Sequence, residues 1–188
     1  MFFDFQPEKS RSNLHTIPLE RFLDLPAVSQ SEVDHVFDRL RERFLDQLRY
    51  HRHLADSPEP IEGTGYGIAS SNGFETSERC VIITNLENGD VVGGVSEMNF
   101  FILPEHRSKG LGAAALLRAF DDEIKDPEAR GHRLSPAGRR TRICVHRMAV
   151  ERAIEEGLTV PEEVLKDYPQ FVGMQKPTDT GNSPEPDF

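Results

Sequence analysis

Apolar positions recur every three or four residues through "SQSEVDHVFDRLRERFLDQLRYH", placing Val33, Val36, Phe37, Leu40, Phe44 and Leu48 on one face. That period predicts an amphipathic helix, and Ser29 and Glu32 stand at the spacing of a capping box at its start. A second stripe, Ala113, Leu116, Leu117, Phe120 and Ile124, predicts a helix from Gly112 to about Lys125, with Pro127 just past its end. Between the helices, "RCVIITNLENGDVVGGVSEMNFFILP" is β-rich. Its Asn-Gly pair between two apolar runs signals a hairpin. Strands are expected near 79–86, 90–95 and 97–103, with Gly93-Gly94 marking a bulge or bend. "NLHTIPLERF" reads as a first strand leading into a loop.

Residues 56–78 are rich in Gly, Ser, Pro and Glu and read as a long loop that could border a substrate cleft. Their "GTGYG" has neither the preceding strand nor the following helix of a phosphate loop. In 135–171, Ser135-Pro136 looks like a cap followed by a first-turn proline. One helix over about 136–156 is expected, with Ile143, Val150 and Ile154 on one face. Gly157 would stop it, and a second short helix would start at Pro161. "TRICVH" taken alone reads as a short strand, and both readings stay open at this point. The polar, Pro-rich end of 172–188 reads as a disordered tail. The resulting organisation is a core over 1–134 with a helical extension over 135–171.

The chain of 188 residues is long enough for one domain with a real core. Its net charge of −10 argues against general nucleic-acid binding and against a membrane surface. The charge is uneven, however. Arg130, His132, Arg133, Arg139, Arg140, Arg142, His146 and Arg147 form a basic island, either a solvated face or a site for a phosphate or acidic partner. No apolar run approaches the roughly 20 residues that span a bilayer, and "MFFDFQPEKS" lacks the basic head and long apolar stretch of a secretory signal. Cys80 and Cys144 form no CxxC and offer no metal framework, which fits a reducing cytoplasm.

The chemistry concentrates in "FFILPEHRSKGLGAAALLRAF", residues 100–120, where a strand feeds a helix through a turn carrying two glycines and two cations. The first helical turn has N–H groups without intrahelical partners, and the helix dipole adds partial positive charge there. Such an end suits an anion, above all a phosphate. Gly110 and Gly112 remove the Cβ atoms that would hold a pyrophosphate off the backbone, and Arg107 and Lys109 add full charges. A P-loop would need Lys-Ser/Thr after the second glycine, where Ala113-Ala114 stand. A dinucleotide fold would need the glycines closer to the strand and a further βαβ unit beyond.

With Ile102, Pro104, Arg107, Gly110 and Gly112, the segment resembles the acetyl-CoA motif of the GNAT superfamily of N-acetyltransferases. In element order the resemblance covers about residues 13–126. It implies an α+β fold with a mixed β-sheet flanked by helices and an added helical C-terminal extension. It also implies that main-chain N–H groups from Ser108 through Lys109, Gly110, Leu111 and Gly112 to Ala113 cradle the CoA pyrophosphate. The pantetheine arm would pair along Phe101, Ile102 and Leu103, and an N–H near Ile102 would hold the thioester carbonyl. The implied reaction moves an acetyl group from acetyl-CoA to an amine acceptor: a protein, a small amine or a charged tRNA. A homodimer is left open.

Glu97, at the start of the strand leading to the turn, is the candidate base, at a position where several members carry a glutamate. Ala153 stands where the family carries its acid tyrosine. Tyr168 is a candidate acid from further along the chain, and His146 a candidate base or phosphate ligand. "HRMAVERAIEEGLTVPEEVLKDYPQF" is similar to a helical motif of large polyvalent proteins of phages and plasmids, which implies a bacterial mobile-element setting and a packing role for Tyr168. Three functions follow: an acetyltransferase, a CoA-binding module without transfer, and a protein-binding domain docking an acidic partner through the basic island.

Overall fold

The structure, a computed structural model, describes residues 13–53, 55–71, 79–96, 100–124 and 134–174. In chain order the helices are α1 (Leu19–Phe22), α2 (Gln30–Arg52), α3 (Leu111–Asp121), α4 (Pro136–Glu155) and α5 (Glu162–Leu165). The strands are β1 (Glu59–Ile61), β2 (Tyr66–Ser71), β3 (Cys80–Asn85), β4 (Val91–Ser96) and β5 (Phe100–Ile102). They form one sheet in the order β1-β2-β3-β4-β5.

The class is α+β. Every pairing in the sheet is antiparallel, whereas the family resemblance implies a mixed sheet. Among the described residues, no strand follows α3 to supply a parallel neighbour; α4 stands there instead.

The "CVII" run of β3 is apolar without alternation because both its faces are covered. Val81 and Ile83 pack with Val92, Val95, Leu111, Ala115 and Ala119 on the α3 side. Cys80 and Ile82 pack with Phe44, Leu45 and Leu48 of α2 on the other. Next, α4 covers α3, joining Val145 and Ala149 to Leu14, Phe22, Ala113 and Leu116. The layers are therefore α2, sheet, α3 and α4.

Local signals explain most element boundaries. The Glu32 N–H donates to Ser29 Oγ at 3.3 Å, and the Glu32 carboxylate accepts from the Ser29 N–H at 3.2 Å, closing the capping box of α2. Ser135 Oγ accepts from the Gly138 N–H at 3.0 Å and starts α4 with Pro136 at its first position. Residues 141–146 are therefore helical. Gly157, at φ +74°, ends the helix, with the Leu158 N–H returning to the Ala153 carbonyl at 2.8 Å. Gly89, at φ +78°, turns the β3–β4 hairpin. The register slips between Ile83 and Thr84, so Val92 is the extra residue of a bulge next to Gly93.

Three expectations change. Residues 13–22 form a 3-10 turn (Asn13–Thr16) and α1, because Pro18 has no N–H for a ladder and serves as a helix cap. The expected loop over 56–78 contains β1 and β2; residues 72–78 of it lie outside the described residues. Ile143 is exposed, since the inner face of α4 is Arg142, Val145, His146, Ala149, Val150 and Ala153. The greater part of the expected tail, 175–188, lies outside the described residues.

Candidate functional site

A groove of about 1150 Å³ runs along the outer edge of the sheet. Phe100, Phe101 and Ile102 of β5 line it together with the loop into α3, the first turns of α4, and the apolar face of the N-terminal half of α2. Three helices and one strand edge thus contribute to a single concavity.

The loop between β5 and α3 is built to leave its amides free. Pro104–His106 makes one 3-10 turn, after which Ser108 and Gly110 both take left-handed conformations, at φ +63° and +76°. Successive turn residues of alternating hand can make an anion-binding concavity from their N–H groups. Among the described residues, no backbone carbonyl accepts from the amides of residues 108 to 113; the first tied amide is that of Ala114, on the Gly110 carbonyl at 3.0 Å. Ser108, Gly110, Leu111, Gly112 and Ala113 all line the groove. The Leu111 side chain sits in the core on the sheet, so main chain is what it offers there. A Cβ on Gly110 would meet nothing within 4 Å, whereas one on Gly112 would come within 3.3 Å of Phe100 Cζ and 3.6 Å of Thr141 Cγ2. Gly110 is therefore needed for its backbone angle, and Gly112 for the close approach of α3 to β5 and α4.

Among the described residues, the strand beside this turn has no partner strand on its outer side. The Leu103 N–H donates to the Val92 carbonyl at 2.9 Å, so residue 103 faces β4. Residues alternate in an antiparallel ladder, so the N–H and carbonyl of Ile102 face outward. The Ile102 carbonyl accepts from Arg107 Nε at 2.8 Å, which ties it from that side. The Arg107 guanidinium also lies 5.5 Å from the centre of the Phe37 ring. It thus joins the turn to both the strand and α2.

The other candidates lie elsewhere. Lys109 does not line the groove: its Nζ donates to the Tyr66 hydroxyl at 2.7 Å, and that hydroxyl shares a hydrogen bond with His106 Nδ1 at 2.8 Å. The lysine thus braces the turn from behind, 4.8 Å over the Tyr66 ring. Leu103 packs with the α2 cluster on the sheet. Phe101, Ile102, Arg107, Ser108, Gly110, Leu111, Gly112 and Ala113 are brought together.

His146 and Tyr168 meet each other, but not at the groove. His146 is fully buried. Its Nε2–H donates to the Ile17 carbonyl at 2.6 Å, and its Nδ1 accepts from the Tyr168 hydroxyl at 2.7 Å. The rings stack with centroids 5.5 Å apart. Burial lowers the His146 pKa from its ordinary value and, with Asp167 nearby, pushes Tyr168 up to about 12. A neutral imidazole and a protonated phenol form a stable pair, joining α4 to the segment after α5. Glu97 lies outside the described residues, as do Arg130, His132 and Arg133.

The rest of the basic island disperses. Arg142 is buried against Phe22, with its guanidinium 4.7 Å over that ring, while Arg140 lines the groove beside Thr141 and Cys144. The contribution of α4 to the groove was not anticipated from the sequence; the Ser135-Pro136 cap was the available signal, since it marks a second helix N-terminus.

No family model, curated protein or solved structure matches the chain significantly. Among the described residues, no helix is long and apolar enough to cross a membrane.

Proposed function

We propose that the protein is an N-acyltransferase that binds an acyl-CoA in the groove and passes its acyl group directly to an amine, with acetyl-CoA as the simplest donor. The observation that carries this reading is the free run of amides at 108–113, on the same groove as the outward N–H of Ile102. The pyrophosphate would take the amides and Arg107. The pantetheine arm would run along the β5 edge, and the Ile102 N–H would donate to the thioester oxygen. That donor would strengthen its bond as charge develops there. The amine nitrogen attacks the thioester carbon, a C–N bond forms and the C–S bond breaks. The thiolate leaves, and the proton lost by the amine ends on the CoA sulfur or on solvent. Holding both reactants in one ternary complex supplies most of the rate.

The binding test is thermal stability with and without acetyl-CoA. At about 100 times its dissociation constant, a ligand adds about 2.7 kcal/mol. Absence of any shift at millimolar acetyl-CoA would end the reading. Transfer to a panel of amines then separates an enzyme from a binder.

A second reading, a CoA-binding module without transfer, is favoured by the position of His146 and Tyr168, both engaged in the core. Acetyl-CoA binding without transfer to any amine tested, protein and aminoacyl-tRNA included, would select it.

A further inference from the structure

We propose that the donor's acyl group is a hydrocarbon chain longer than acetyl, laid along the N-terminal half of α2. This rests on the acyl-CoA reading above and adds the class of donor.

The apolar face of α2 is continuous from Val33 to Leu48; its second half packs on the middle of the sheet, and its first half reaches the sheet through Phe37 on Phe101 of β5. Phe44, Leu45 and Leu48 are buried against Cys80, Ile82 and Val91. In the first half, Val36 is 54% and Leu40 44% exposed, and both line the groove with Val33 and Phe37. A helix ordinarily turns its apolar stripe toward a partner; here that stripe runs on past the middle of the sheet and forms one wall of the groove.

What covers the wall follows from what it adjoins. The Phe101 ring, on the strand whose outer edge would hold the thioester, lies 4.8 Å from the Phe37 ring and 4.7 Å from the Phe44 ring. A carbonyl carbon resting at the Ile102 N–H would therefore have the apolar face of α2 as a neighbour. Among the charged residues of the lining, Arg107 stands at the turn and Arg140 on α4, while Asp34, Arg41 and Arg43 stand on α2 beside the apolar stripe. Val33 to Phe44 spans about 16 Å of helix. An acetyl methyl would leave most of that length wet, whereas an alkyl chain would cover it.

The experiment titrates the full chain with CoA, acetyl-CoA, octanoyl-CoA and dodecanoyl-CoA, each below its micellar concentration. Complete burial of a methylene is worth about fourfold in affinity, so a half-covered chain should gain about twofold per methylene, roughly sixtyfold from acetyl to octanoyl. Val36→Asp and Leu40→Asp, at exposed positions, should remove most of that gain, bringing the octanoyl-to-acetyl affinity ratio toward one. Equal affinity for all three thioesters, with CoA still bound, would overturn this inference and leave the acyl-CoA reading standing. Failure of every ligand, CoA included, would remove both. A dimer that Val36→Asp dissociates, without any chain-length dependence, would assign the face to a second copy and overturn the inference.

Discussion

Arg107 Nε donates to the main-chain carbonyl of Ile102 at 2.8 Å, so the loop carrying the free amides is fastened to the strand edge beside it. The guanidinium has two roles in the proposed site: it adds charge at the phosphate end and keeps the loop in place. Arg107→Ala should weaken CoA binding by about tenfold or more, as expected for loss of a charge-assisted hydrogen bond. Arg107→Lys should restore only part of it, because an ammonium does not reproduce the planar fork. Calorimetric titration measures both. Full affinity in the alanine variant would remove Arg107 from the site.

Gly110 separates backbone strain from blockage. Its φ is +76°, with open space where a side chain would go. Gly110→Ala should cost about 1 kcal/mol in urea unfolding and retain CoA binding. Gly110→Glu should show a similar cost but lose binding, because its carboxylate would stand where the pyrophosphate is placed. If both variants bound CoA equally well, the phosphates would have to lie elsewhere.

The buried pair makes a structural prediction. Tyr168→Phe leaves His146 Nδ1 without its donor and should cost about 1–3 kcal/mol. CoA affinity should not change, because neither residue lines the groove. A loss of transfer activity larger than the loss of folded protein would instead make Tyr168 part of the chemistry.

Acid should destabilise the fold. Burial lowers the pKa of His146 and, more weakly assisted by Arg152, that of His15, below the ordinary 6.5. The unfolded chain then takes up protons near pH 6.5 while the folded chain does not. Stability should be level above about pH 7 and fall as pH drops through about 6.5 toward the folded values. Urea midpoints across this range test the sign; a midpoint that rises on acidification would contradict the neutral assignment of His146.

Gly94 reports on the approach of β3 to β4, and secondarily on the packing of α2 over them. A Cβ there would collide with the Val81 carbonyl and come within 3.1 Å of Leu48 Cδ1. Gly94→Ala should cost more than about 3 kcal/mol or prevent folding, as read by circular dichroism. A cost under about 1 kcal/mol would mean that β3 and β4 stand further apart at this point than the structure has them.

The parts of the fold legible in the sequence are those where a strong period coincides with a cap or a turn. The capping box at Ser29, the Asn88-Gly89 hairpin and the Ser135-Pro136 start of α4 each have a local physical cause. β2 was not legible because its sequence, "YGIASS", consists mostly of small residues in a strand that is buried along nearly its whole length. Gly67 there has Pro58 and Leu86 within 2.8 Å of where a Cβ would be, so close packing selects against the bulky alternation that marks a strand. The inner face of α4 was obscured because Arg142 and His146 are buried polar residues, satisfied by partners distant in sequence. In the candidate site, the turn geometry was legible, because the left-handed angle at Gly110 and the amides without backbone partners beside it follow from local sequence. The contributions of α2 and α4 were not, since they depend on which faces the tertiary structure brings together. Lys109, read as a groove cation, serves instead as a brace on Tyr66.

Among the described residues, the edge strand β5 has three residues. A long bare strand edge invites other chains to add to it and is a route to aggregation. Here the exposed stretch is too short to template another protein's ladder, and side chains from α2, α3 and α4 rise around it. The fold can thus keep unpaired main chain available to a slender, strand-like ligand while denying it to a neighbouring polypeptide.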